Sequence, residues 1–358
     1  MKILFVIQGM QNGGAERVMS LLCNKLVERG HNVHLGLTER ISGIAYELDN
    51  RVKILDLRCN CNNTMDFFLK SSKVIRSAIE ANKPDVVVSF ITRANICTLL
   101  GGFGKRVPII ISERNNPQID PPSKITRFIR RIVYPFASGY VFQTDFAKKC
   151  FSKSIQKKGV VIYNPIDETK LQLTNKERMK RIISVGRLEE QKNFPLLINA
   201  FAEAHCINKG YTLVIYGEGS LRNTLQKQIE EKGLNNFVTL KGQTNNPFAE
   251  LAASKIFVLS SNYEGMPNAL MEAMCMGCAC ISTDSPAYGA RELIENGVNG
   301  FLVPVGDLTA LVSRLSQLME NDDLQNSIGA KATMIANRVN SDVIVKQWLH
   351  FIEKTIRK

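Results

Sequence analysis

With 358 residues, 44% of them apolar and 22% charged, the chain has the length of two ordinary domains, each large enough for its own core. No apolar run reaches the roughly 18–20 residues that span a bilayer, the first apolar run (3–7) is too short for a signal peptide, and nine cysteines without paired spacing suit a reducing compartment better than a disulfide framework. The net charge of +13 is lopsided, with 26 Lys and Arg against 14 Asp and Glu in residues 1–170 and 20 against 19 in the rest, so the first half is expected to meet something anionic: nucleic acid, anionic lipid or a phosphorylated substrate.

The first half alternates short apolar runs with amphipathic stretches. Strands are predicted at 3–8, 32–38, 52–57, 85–90, 108–112, 139–142 and 160–163, with helices between them, for example at 15–29, 67–82 and 94–102. That alternation means βαβ units and a parallel sheet covered on both faces. Gly13-Gly14 follows the first strand and opens a helix, where bare backbone can approach a phosphate and the helix end donates N–H groups. Read alone, it is usually only a turn. Lys124, Arg127, Arg130 and Arg131 are mostly three or four apart on a helix whose Phe128, Ile129, Ile132 and Val133 form an apolar stripe, and Lys148, Lys149, Lys153, Lys157 and Lys158 follow. Such a helix suits an anionic bilayer surface or a polyprenyl diphosphate head group, or, at even odds, a solvated face over a core. Asn164-Pro165-Ile166-Asp167 and the polar stretch 172–180 read as turn and linker.

The second half starts the alternation again, with strands predicted at 181–185, 211–216, 237–240, 256–260, 279–282 and 301–303 and helices at 194–205, 220–232, 247–253, 268–276 and 308–320. Two successive doubly wound domains would bind ligand in a cleft at the carboxyl ends of their strands. At one strand end Glu264-Gly265-Met266-Pro267 runs into a helix carrying Glu272, with Asn268 and Ala269 in its first turn. Free amides and a positive dipole end make this a seat for an anion. Glu264 at the loop mouth can meet a neutral polyol, and Glu272 can grip vicinal hydroxyls further off, which is the layout of a nucleotide sugar. The cysteine groups at 59–61 and 275–280 lack a nearby histidine and are expected to be buried thiols rather than a metal site. There is no Asp-x-Asp and no histidine–carboxylate cluster. His31, His34, His205 and His350 fall before a strand, in a strand and on helices, so none is read as catalytic. The tail, 343–356, is amphipathic, with Val343, Trp348, Leu349, Ile352 and Ile356 as its anchors.

The stretch from Glu264 to Glu272 resembles the paired-glutamate signature of the family 4 retaining glycosyltransferases. Gly13-Gly14-Ala15-Glu16-Arg17, Val185-Gly186-Arg187-Leu188 with Lys192-Asn193, Gly217-Glu218-Gly219 and Lys241-Gly242-Gln243-Thr244 resemble further motifs of that family. The resemblance implies an α/β, GT-B fold: two facing Rossmann-like domains, 1–168 and 169–340, and a terminal helix, 341–358, that returns to the first. It implies that Arg187 and Lys192 neutralise a diphosphate, Glu264 faces the transferred sugar and Glu272 holds the ribose. Gly14 is then phosphate-adjacent, Gly217 lies beside the nucleoside, Gln243 near the base, and Met266, Asn268 and Ala269 on the donor, while Arg17 faces the acceptor.

Two departures stand out. Ala287-Tyr288 replaces the paired glycines common in that family, and Arg114, in Ser112-Glu113-Arg114-Asn115-Asn116-Pro117, replaces a histidine common near the sugar. This form of the motif resembles a branch that builds bacterial surface glycans on lipid carriers. It implies that Arg114 holds diphosphate or sugar, and that Glu113 orients it or acts on the acceptor hydroxyl.

The expected activity is metal-independent, retaining transfer of an N-acetylhexosamine or hexose from a UDP-sugar, without a cofactor. The expected acceptor is a polyprenyl-diphosphate-linked saccharide of O-antigen, capsule or N-glycan precursor assembly. Lys124, Arg127, Arg130 and Arg131 are expected to meet acceptor or anionic membrane, with the protein cytoplasmic and peripheral on the inner face. A catalytically inactive nucleotide-sugar-binding protein is the alternative. A nucleic-acid binder is disfavoured because aromatic stacking motifs are missing.

Overall fold

A computed structural model describes residues 1–11, 13–39, 43–171, 177–204, 206, 208–244 and 246–357. Residues 172–176 of the expected linker and His205 lie outside the described residues. The chain divides into two compact units, 1–165 with 341–358, and 166–340.

The first unit holds β1 (Lys2–Ile7), β2 (Asn32–Leu37), β3 (Lys53–Asp56), β4 (Val86–Phe90), β5 (Ile109–Ser112), β6 (Gly139–Phe142) and β7 (Gly159–Val161) in the order β3-β2-β1-β4-β5-β6-β7. Every pairing is parallel. Apart from the edge strand β3, whose Lys53, Ile54 and Asp56 are exposed, its strands are largely apolar on both faces because each face is covered. Ile3, Phe5 and Ile7 join one core, and Leu4 and Val6 the other. The helix Ser341–Ile356 belongs to this unit and covers the first of those faces. It does so through Ile344, Val345, Trp348 and Ile352, with Trp348 1% exposed and stacked on Phe90 at 5.6 Å. Val343, expected among its anchors, stands at the surface instead, since the seam runs one residue later through Ile344.

The second unit holds β8 (Met179–Val185), β9 (Thr212–Tyr216), β10 (Val238–Gly242), β11 (Ser254–Leu259), β12 (Ala279–Thr283) and β13 (Phe301–Val303), again all parallel, in the order β10-β9-β8-β11-β12-β13. In both sheets the strand order reverses once, between β1 and β4 and between β8 and β11. Open α/β sheets bind ligands outside the carboxyl ends of the strands at such a reversal. The helix Asp322–Ala332 was not expected from the sequence. Its buried side is made largely of small or polar residues, among them Gln325, Gly329 and Ala332, so it lacks the apolar period that marks a helix.

Candidate functional site

In the second unit the reversal point is where the candidate donor residues gather. Beyond β8 the chain passes Gly186 and Arg187, makes a short turn at Glu190–Lys192, and enters the helix Phe194–Glu203 through Asn193, whose φ is 46°. Beyond β11 it runs through Ser260 to Glu264 and enters the helix Asn268–Cys275. The two loops are laced together. Gln191 donates from Nε2 to the Tyr263 carbonyl (3.0 Å), Asn262 donates from its backbone N to the Gln191 carbonyl (2.8 Å), and Ser260 donates from Oγ to the Lys192 carbonyl (2.8 Å). This lacing fixes the ammonium of Lys192 against Glu264 Oε1 at 2.5 Å, where Ser261 Oγ also donates at 2.7 Å.

Glycine makes the approach possible. A Cβ on Gly186 would lie 2.9 Å from Lys192 Cε, and one on Gly217, whose φ is 147°, only 1.8 Å from the Gly186 carbonyl oxygen. Gly217 in turn donates to the Gly242 carbonyl at 2.8 Å. Gln243, exposed, follows directly on β10. Arg187 is exposed and donates to Gln191 Oε1 at 3.0 Å.

Asn268 and Ala269 form the first turn of their helix, whose leading N–H groups have no carbonyl of their own helix to meet. Met266 is buried. Glu272 lies about one turn into the helix and is 3% exposed. The arrangement can therefore offer cations, helix-end amides and carboxylates along one sheet edge. Ser261, Gln191 and Asn262, which position Lys192 and Glu264, were not singled out in the sequence. Only their place at strand and turn ends hints at them.

In the first unit Gly14 opens the helix Gly14–Glu28 beyond β1, and Arg17 lies in its first turn. Arg114 follows β5. It is 5% exposed, lies over the Phe90 ring at 4.7 Å, and donates to Asn164 Oδ1 at 2.5 Å and to Ser112 Oγ at 3.4 Å. Its Nε has no hydrogen-bond partner among the described residues. Burial pushes this guanidinium down to about 9, the charge of Glu16 pulling the other way, so it stays cationic at neutral pH. Asn164, read in sequence only as part of a turn, is thus the main partner of Arg114.

Glu113 points elsewhere. Its carboxyl is buried and receives the Tyr134 hydroxyl, with Thr92 Oγ1 at 3.3 Å and Asn95 Nδ2 at 3.4 Å. A group so enclosed does not meet an acceptor hydroxyl, contrary to the role the motif implied for it. Glu113 instead ties β5 to the element that carries Tyr134. Burial raises its pKa, opposed by Arg130 and the Tyr134 hydrogen bond. A carboxyl with a raised folded pKa keeps its proton to a higher pH than in the unfolded chain. Its contribution is full below the ordinary carboxylate range and is lost as the pH rises through the raised value. Glu113→Gln is therefore expected to hold its Tm at neutral pH and to flatten the fall of Tm with rising pH. Glu113→Ala should lose about 1–3 kcal/mol by leaving the buried Tyr134 hydroxyl without the carboxyl it donates to. Thermal unfolding across that pH range checks both.

The basic helix spans Lys124–Val133, with Ser123 capping the Thr126 N–H. Lys124 and Arg131 are exposed and Arg127 is half-buried. Arg130 is not a surface cation. It is buried, donates to the carbonyls of Asp120 (2.8 Å) and Pro117 (2.6 Å), and lies over Phe151. Arg127 likewise donates to the Pro121 carbonyl at 2.7 Å. Arg130 is therefore withdrawn from the expected acceptor or membrane face, because the loop before the helix needs its guanidinium. All nine cysteines are free, and those of 275–280 are buried. Among the described residues no group of three His, Cys, Asp or Glu is placed to hold a metal ion, and no helix is long and apolar enough to cross a membrane.

A family model described as Glycosyltransferase Family 4 matches residues 12–170, and one described as Glycosyl transferases group 1 matches residues 165–334. Two Campylobacter jejuni proteins are similar along the full length. One is named a GalNAc-alpha-(1->4)-GalNAc-alpha-(1->3)-diNAcBac-PP-undecaprenol alpha-1,4-N-acetyl-D-galactosaminyltransferase and is 29% identical, covering 98% of each chain. The other is named an N-acetylgalactosamine-N,N'-diacetylbacillosaminyl-diphospho-undecaprenol 4-alpha-N-acetylgalactosaminyltransferase and is 30% identical, covering 98% of this chain and 99% of the relative. The crystal structure of Anabaena Alr3699/HepE in complex with UDP matches with a TM-score of 0.84 at 19% identity, over 99% of this chain and 100% of that one.

Proposed function

The chain belongs to the glycosyltransferase family that both halves match, with the GT-B fold, and we propose that it moves an N-acetylhexosamine or hexose from a UDP-sugar to a saccharide carried on a polyprenyl diphosphate. The observation that carries this reading is the Lys192–Glu264 pair, held at 2.5 Å at the sheet reversal beside the first turn of the helix Asn268–Cys275. A diphosphate against Lys192, Arg187 and the helix-end amides would put the sugar at Glu264 and the ribose at Glu272. The names of the two Campylobacter relatives support N-acetylgalactosamine as the sugar and an undecaprenyl diphosphate as the acceptor's carrier.

In this reading transfer retains the anomeric configuration. As the bond from the anomeric carbon to the leaving β-phosphate oxygen breaks, the acceptor oxygen bonds to that carbon from the same face. The acceptor's proton passes to the departing phosphate oxygen, leaving UDP and the extended glycan. Lys192 and Arg187 stabilise the growing negative charge, a task that needs no divalent cation here. The setting is the cytoplasmic side of an anionic membrane.

The test is UDP release from a panel of UDP-sugars, with and without a short-chain polyprenyl-diphosphate saccharide, and NMR of the new linkage. Acceptor-dependent release with an α-linked product from an α-linked donor is expected. UDP binding without release to any acceptor would instead indicate the inactive nucleotide-sugar binder. Within the same assay Glu272→Ala is expected to raise the donor KM about tenfold, about 1.4 kcal/mol, with kcat within about threefold. A loss confined to kcat would remove the ribose assignment.

A further inference from the structure

The helix Lys124–Val133 presents three faces rather than two. Successive residues turn by about 100°, which places Thr126, Arg130 and Val133 on one arc of roughly 60°, and these are its buried residues. Lys124, Arg127 and Arg131 share a second arc of similar width. Ile125, Phe128 and Ile132 share a third, and each of these three is more than half exposed. Of the apolar stripe read in the sequence, Phe128 and Ile132 therefore point away from the core, while Val133 is buried in it and Ile129 packs against it. Phe136, just past the helix, and Phe103, from the end of another helix, extend the ridge. Both are more than half exposed and pack edge to face at 5.4 Å.

Five large apolar side chains in one ridge exceed the scatter of exposed hydrophobics on an ordinary surface. The neighbouring cationic arc decides the kind of partner. A bilayer interface is apolar at the acyl boundary and anionic at the phosphates a few ångströms away, which matches adjacent apolar and basic arcs on one helix. The excess of basic residues in the first half of the chain agrees with it. We infer that Ile125, Phe128, Ile132, Phe136 and Phe103 insert into the acyl boundary of an anionic bilayer, with Lys124 and Arg131 at the head groups. This deepens the membrane setting proposed above and rests on it. The exposed apolar ridge makes attachment one of insertion, and Arg130, being buried, adds nothing to electrostatic adsorption.

Insertion and adsorption separate by salt, because a Debye length of about 3 Å at 1 M screens surface charges but not buried apolar area. Flotation with vesicles of phosphatidylcholine and phosphatidylglycerol is expected to retain the protein in about 1 M salt, within about threefold of its low-salt partition. Phe128→Asp with Ile132→Asp should lower that partition at least tenfold, leaving Tm and transfer to a water-soluble acceptor unchanged. In Phe128→Trp, quenching by lipids brominated on the acyl chain should exceed that in the wild type, whose lone Trp348 is buried. Release by salt, wild-type binding of the Asp variant, or no added quenching would overturn insertion. So would a dimer abolished by the Asp pair without vesicle binding, which would make a second copy of this chain the occupant. Absent transfer in the wild type, with vesicle binding intact, would count against the proposed activity and leave insertion standing.

Discussion

Lys192→Ala is expected to lower kcat for sugar transfer by about 10²–10³-fold, the loss seen when one preorganised donor to a developing oxyanion is removed. The donor KM should move less than tenfold, because the charge that Lys192 meets grows as the leaving UDP departs and is only partly present in the bound donor. A second consequence separates this residue from a bystander. Glu264 is 7% exposed and its Oε1 receives Lys192 and Ser261, so losing the ammonium leaves that buried carboxylate oxygen with a single hydroxyl donor. The variant should unfold more easily, by about 1–3 kcal/mol. Adding Glu264→Gln should recover most of that stability and none of the rate. Initial rates at saturating donor together with thermal unfolding complete the cycle, whose coupling term isolates the pair. An unchanged kcat in Lys192→Ala would withdraw it from the chemistry.

The thirteen strands stand in the sequence at their places, with no end shifted by more than two residues, because strands covered on both faces read as largely unbroken apolar runs. The start of β8 is one exception, since Met179 and Lys180 are exposed yet belong to the strand, with Met179 paired to Ser254. Motif spacing also brought Arg187, Lys192 and Glu264 to strand ends, because loops follow strands. Side-chain direction was less legible. Glu113 and Arg114 are neighbours in one motif, but consecutive residues at a strand end point to opposite faces of the sheet. Arg114 lies over Phe90 in one core, while Glu113 meets Tyr134 in the other. The basic helix failed for a related reason. Charge alone puts Arg130 outside, yet the carbonyls of Pro117 and Asp120 need a donor, and the course of that loop is not encoded in the helix's own pattern.

Arg114→Met is expected to cost activity without costing stability. Burying a cation is expensive unless a carboxylate compensates it. The contacts of Arg114 are one amide oxygen, one distant hydroxyl and an aromatic face, with the charge of Glu16 felt from further off. Methionine would remove the buried charge and keep a polarizable contact with Phe90. Asn164 Oδ1 would not be stranded, because Gln143 Nε2 also donates to it at 2.8 Å. Replacing buried charges by apolar groups of similar size is often neutral or stabilising by about 1–4 kcal/mol. At about 2–4 °C per kcal/mol for chains of 150–250 residues, and less for this longer one, Tm should hold or rise by a few degrees. A fold that tolerates such a charge has a use for it, and in the proposed reaction that use is a phosphoryl oxygen of one substrate. The rate should then fall about a hundredfold, the lower end of the range for a preorganised donor. Initial rates and thermal unfolding on the same preparation decide the matter. A drop in Tm with near-normal turnover would make Arg114 a structural plug, whereas a steady Tm with collapsed turnover assigns it to the substrate.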